Sequence, residues 1–214
     1  MYRIRNNEKQ KILLQSGQKI FTTSDLALLW NIIDRNTLLT TIKRYVKKGI
    51  LSRIYKGLYS TIPINQLDKY EVACAIGGSF SYISGETILS KEGIILQDIK
   101  KITLFGKKAK EITIGDTTYL CRYLNNKYLL NRAGIEDNKG YSVATVDRAL
   151  ADIQYINPQF YTDNNISIYI YKINILNSFK SYIFFQINFF YNYNFFLIII
   201  SQEEYSSKLL SINF

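Results

Sequence analysis

Residues 34–62 read DRNTLLTTIKRYVKKGILSRIYKGLYSTI, and this stretch decides the fold. Asp34 or Asn36 is placed to cap a helix running to Lys48, and Gly49 follows as the left-handed residue that ends it. Leu38, Leu39, Ile42, Tyr45 and Val46 fall on one stripe of that helix and are predicted to pack inward. Arg35, Asn36, Thr37, Thr40, Thr41, Arg44, Lys47 and Lys48 fall largely on the other face. Ile50 to Tyr55 then alternates as a strand, Lys56-Gly57 makes a turn, and Leu58 to Ile62 returns, giving a short hairpin with Arg53 and Lys56 at its tip.

Working back from this stretch, Asn6 to Gln15 reads as a first helix, with Ile12, Leu13 and Leu14 inward and Gly17 ending it. Thr22 or Thr23 can cap a second helix reaching about Trp30, onto which Phe21 can staple. Two helices joined by a short turn, the second basic and followed by a basic hairpin, form a winged helix-turn-helix over residues 1–62. On that expectation Arg35, Asn36, Thr37, Thr40, Thr41 and Arg44 suit base edges in a major groove. Lys47, Lys48, Arg53 and Lys56 suit phosphates, and Lys43 is counted with the DNA-binding set.

The charge distribution agrees. Residues 1–62 hold 12 Lys and Arg against three acids, so nearly all of the chain's net +10 lies there. Residues 63–165 carry 12 bases and 12 acids and are neutral. A basic module beside a neutral one points to a polyanion partner for the first, and double-stranded DNA is the expected one.

Composition excludes much else. The chain has no histidine and two widely separated cysteines, Cys74 and Cys121, so no zinc site and no histidine-based acid–base or triad chemistry is expected. No glycine-rich phosphate loop is present, and no cofactor, metal or catalytic residue is assigned. The N-terminus lacks a long apolar run after its charges, so no signal peptide is read, and two reduced thiols fit a cytoplasmic protein.

Beyond a linker at Pro63 to Asp68, a helix begins at Tyr70, and Ser84 is placed to cap another from Gly85 to Lys91, ended by Gly93. Strands are predicted at Lys101–Phe105, Glu111–Ile114 and Thr117–Tyr123. A short strand from Tyr141 leads to a helix capped by Thr145, on which Arg148 and Asp152 are an i,i+4 pair. The fold class is therefore α+β: a winged helix at 1–62, a small mixed α/β domain at 63–165, and an atypical tail.

Three phrases resemble one family. They are Lys48-Gly49-Ile50-Leu51-Ser52-Arg53-Ile54-Tyr55-Lys56-Gly57-Leu58-Tyr59, the run from Ser81 to Gly93, and the run from Ala144 to Asp152. In order and spacing they are similar to the AbiEi-type antitoxins of type IV toxin–antitoxin systems, with Asp147 where that family carries Glu. The resemblance implies a DNA-binding winged helix that represses its own operon. It also implies a following domain that counters a partner toxin with a nucleotidyltransferase fold, with no enzymatic activity of its own. The alternative is a nucleic-acid-processing, nuclease-like enzyme targeted by its winged helix, which would need clustered carboxylates after residue 62.

The resemblance stops near Asn164. In residues 166–214 Ile, Phe, Tyr and Asn make up 31 of 49 positions, and Gly, Pro, Ala, Val, Thr, Asp and Arg are absent. These abundant residues can be encoded by A and T alone, so the tail is read as out-of-frame or decayed sequence that is not native to the family. Ile183 to Ile200 leaves a membrane span as one alternative reading, at a cost in lipid for Gln186, Asn188, Asn192 and Asn194. The alternation of Ile166 to Ile175 leaves β structure, and with it aggregation, as further readings.

Overall fold

Capping residues and short apolar faces set the elements of the first sixty positions. In the structure, a computed structural model that describes residues 6–160, helix α1 spans Asn6–Gln15 and a short strand β1 spans Ile20–Thr22. Helix α2 (Thr23–Leu29) starts at a reciprocal cap: Asp25 N donates to Thr22 Oγ1 at 3.1 Å, and Thr22 N donates to Asp25 Oδ2 at 2.7 Å. Of the two threonines the sequence offers, Thr22 is the cap. Helix α3 (Arg35–Lys47) is capped by Asp34, which accepts from Thr37 N at 2.7 Å, and it ends at Gly49 with φ +70°.

Strands β2 (Ser52–Tyr55) and β3 (Leu58–Ser60) form the hairpin. Strand β1, not expected from sequence, pairs antiparallel with the other side of β3, so the sheet order is β1-β3-β2. Leu13, Phe21, Leu26, Trp30, Leu38, Ile42, Tyr45, Leu51 and Tyr59 fill one core beneath these elements. Trp30 and Tyr45 meet at a centroid distance of 5.0 Å, and the indole donates to Lys9 O at 3.2 Å, tying α1 to the core. Each large side chain removed from water in this way contributes about 1.5–3 kcal/mol. Leu14, expected inward, points to solvent, because the angular step from Leu13 carries it off the buried stripe.

A turn of 3₁₀ helix at Ile64–Gln66 leads into helix α4 (Lys69–Gly77), capped by Asp68. Then come β4 (Tyr82–Ile83), α5 (Glu86–Lys91), β5 (Lys101–Gly106), β6 (Lys110–Ile114), β7 (Thr117–Tyr123), α6 (Asn126–Leu129), β8 (Ile135–Asn138), β9 (Tyr141–Ala144) and α7 (Val146–Ile156). The six strands make one mixed sheet in the order β6-β7-β5-β4-β9-β8, with β5–β7 and β4–β9 parallel. The described residues thus form an α+β protein of seven α-helices and two sheets. The two sheets' surroundings touch where Lys19 Nζ lies 3.6 Å from Glu71.

Thr145 caps α7 as expected, Arg148 N donating to its Oγ1 at 3.4 Å. Ser84 does not cap α5. That helix starts from Gly85 at φ +66° with no side-chain cap, and the Ser84 hydroxyl is used elsewhere. Among the described residues no helix is long and apolar enough to cross a membrane. The readings made for the tail, residues 166–214, lie outside the described residues.

Candidate nucleic-acid interface

At 100° per residue, the exposed surface of α3 centres on Asn36, Leu39, Thr40, Lys43, Arg44 and Lys47. Arg35, in the first turn, and Lys48, at the C-cap, are exposed at its two ends. The stripe holds three cations, two small polar residues and one leucine. Leu39 is 42% exposed, not packed inward as its residue type suggests.

Two threonines assigned to this face are held by the helix itself. Thr41 is 5% exposed and donates its hydroxyl to Thr37 O at 2.8 Å, because its angle sets it between Leu38 and Tyr45. Thr41 therefore belongs to the core. Thr37 is half-buried, and both its N–H and its hydroxyl bind the Asp34 carboxylate. Those bonds hold the Asp34 carboxyl below the usual carboxylate range.

The hairpin adds two more exposed cations. Arg53 lies on β2 opposite Tyr59, just before an irregularity that brings Tyr55 opposite Leu58. Lys56 stands in the turn beside Gly57, whose φ of +79° suits glycine. The turn is tied down, since Gly57 O accepts from Thr23 N at 3.0 Å and from Thr23 Oγ1 at 3.3 Å. The hairpin tip is therefore fixed to the first residue of α2. Not all the basic charge of the module is on show, because Lys9 is buried.

The run from Ala144 to Asp152 holds a different arrangement, with Arg148 and Asp152 both buried on α7. Arg148 uses all five N–H groups. Nε binds Asp152 Oδ1 at 2.9 Å, Nη1 binds Asn131 O at 2.9 Å and Ala133 O at 3.0 Å, and Nη2 binds Tyr82 Oη at 2.6 Å and Tyr128 O at 3.0 Å. The remaining Asp152 oxygen accepts from Ser84 Oγ at 2.8 Å. This is a saturated clamp joining α7, β4 and the segment from Tyr128 to Ala133, with no donor left for a ligand. Among the described residues, no group of three His, Cys, Asp or Glu side chains is placed to hold a metal ion. Cys121 is buried and its thiol is pushed up to about 11, and burial also raises that of Cys74.

No family model matches the chain, and no curated protein does. Among solved structures, the chain is similar to the crystal structure of the RV2827C protein from Mycobacterium tuberculosis, with 14% sequence identity and a TM-score of 0.39. That match covers 72% of this chain and 61% of the mycobacterial protein.

Proposed function

We propose that residues 1–62 are a winged helix-turn-helix that binds double-stranded operator DNA, and that the protein is the repressor and antitoxin of a type IV toxin–antitoxin pair. One observation carries the DNA reading: the exposed stripe of α3 bears Lys43, Arg44 and Lys47, and the hairpin that follows adds Arg53, which lies within β2 and not at the tip as its sequence suggested, and Lys56 in a turn anchored on α2. Helix α3 enters the major groove, with Asn36, Thr40 and Arg44 at base edges. Lys43, Lys47, Arg53 and Lys56 contact phosphates on either side.

The antitoxin part rests on the three phrases that resemble the AbiEi-type family, and names a nucleotidyltransferase-type toxin as the antagonised partner. Fluorescence anisotropy with DNA from upstream of the gene, titrated at several salt concentrations, tests the first part. A log–log slope near zero would sink it, because phosphate contacts must release counterions. Co-expression with the product of a neighbouring nucleotidyltransferase gene tests the second: a host that stays arrested rules out antitoxin activity.

A further inference from the structure

A cavity of about 420 Å³ opens between the start of α4, the end of α5 and the entry to β5. That volume falls in the range of small-molecule sites, about 300–1,000 Å³. Lys69, Lys91, Lys100 and Lys101 line it, against one carboxylate, Asp116 in the turn between β6 and β7. Lys101 is bound to Glu111 at 2.8 Å. Among the described residues, none of the other three lysines has an acid within ion-pair distance.

Two of the hydroxyls in the wall are already engaged. Thr87 donates to Lys101 O at 3.4 Å and Ser90 to Gln97 O at 3.1 Å. The three ammonium groups, with the Tyr70 hydroxyl beside them, are donors the wall can offer a ligand. Three like charges lining a concave wall, against one carboxylate, give it a positive field. The wall holds no arginine, whose planar fork would favour a carboxylate, and lysine acts as a point charge that suits phosphate oxygens. Tyr70, Ile99 and Ile102 supply an apolar side.

We infer that this cavity binds a small polyphosphate anion, held by Lys69, Lys91 and Lys100. The site is separate from α3 and does not depend on the DNA reading. Isothermal titration of the full chain with tripolyphosphate, and in a second arm with ATP, tests it. Saturable one-to-one binding is expected in at least one arm. Comparable affinities identify the phosphate chain as the whole determinant, and tighter ATP binding assigns the apolar wall to the nucleoside. Lys69→Ala/Lys100→Ala should weaken that binding by at least about tenfold, the scale of one lost charge-assisted contact. Lys107→Ala/Lys108→Ala, which removes the same charge outside the cavity, should leave it unchanged. Absence of saturable binding in both arms, a smaller loss in the first variant, or an equal loss in the second overturns the site.

Discussion

Arg148 Nε donates to Asp152 Oδ1 at 2.9 Å with both side chains fully shielded from water. Removing the guanidinium alone leaves a buried carboxylate without its counter-charge, so Arg148→Met should cost about 3–5 kcal/mol. The Arg148→Met/Asp152→Leu double variant should recover much of that loss, because two apolar side chains need no partners. Urea denaturation of the three proteins checks this. A double variant as unstable as the single one would show that the backbone carbonyls of Tyr128, Asn131 and Ala133 matter more than the pair.

Helix α3 should weaken in acid. Asp34 is held below the carboxylate range by the Thr37 hydroxyl first and the Thr37 N–H second. A carboxyl lowered in the folded state adds stability that is fully present above its unfolded value of 3.8, and that stability disappears as pH falls through the lower folded value. Thermal melts from pH 6 down to pH 2 should therefore lose this contribution only below about pH 4. Asp34→Asn, which keeps an accepting cap oxygen, should flatten that acid limb, whereas Asp34→Ala should lower stability at every pH.

The contacts proposed for α3 and the hairpin separate by salt response. Lys47→Ala and Lys56→Ala should each reduce the salt slope of DNA binding by about 1 and weaken operator and random DNA alike. Arg44→Ala should cost about 1–3 kcal/mol on the operator and relax its sequence preference. Anisotropy titrations on matched and scrambled duplexes read both. An Arg44→Ala protein with full affinity and selectivity would move α3 out of the groove.

Thr41 and Leu39 should exchange the roles their residue types suggest. Thr41→Ala removes a buried hydroxyl that donates to Thr37 O, so it should cost stability, about 1 kcal/mol, and leave the operator affinity of the folded protein unchanged. Leu39→Ala lies on the exposed stripe, so it should barely change the melting temperature but alter operator affinity. Paired melts and DNA titrations decide, and the reverse pattern would contradict the placement.

That exchange shows what was legible in the sequence. The helix at Arg35–Lys47, its Asp34 cap and the Gly49 stop follow from local chemistry and were readable. Polarity alone points Leu39 inward and Thr41 outward, whereas their angles on the helix, two residues and 200° apart, place them the other way round. Strand β7 spans Thr117–Tyr123 in both the sequence reading and the structure, because seven residues with flanking turns are enough to see. Strands β1 and β4, of three and two residues, are too short to show a period. The Ser84 hydroxyl looked like a local cap because its use is not local: its partner Asp152 lies 68 positions away. The cavity lined by Lys69, Lys91 and Lys100 draws its cations from separate elements, and no linear spacing announces that.

The central place of β3 in the first sheet bears on how this protein is made. Its pairing with β2 closes a tight turn, but its pairing with β1 sets Ile20 opposite Ser60, with α2 and α3 enclosed between them. Contacts that distant form late, after the entropy of the loop has been lost. A ribosome delivers Ile20 long before Ser60, so the nascent chain carries a waiting strand and two exposed helices until the last strand of the sheet emerges. Closure of the whole module is therefore timed by the arrival of Leu58–Ser60.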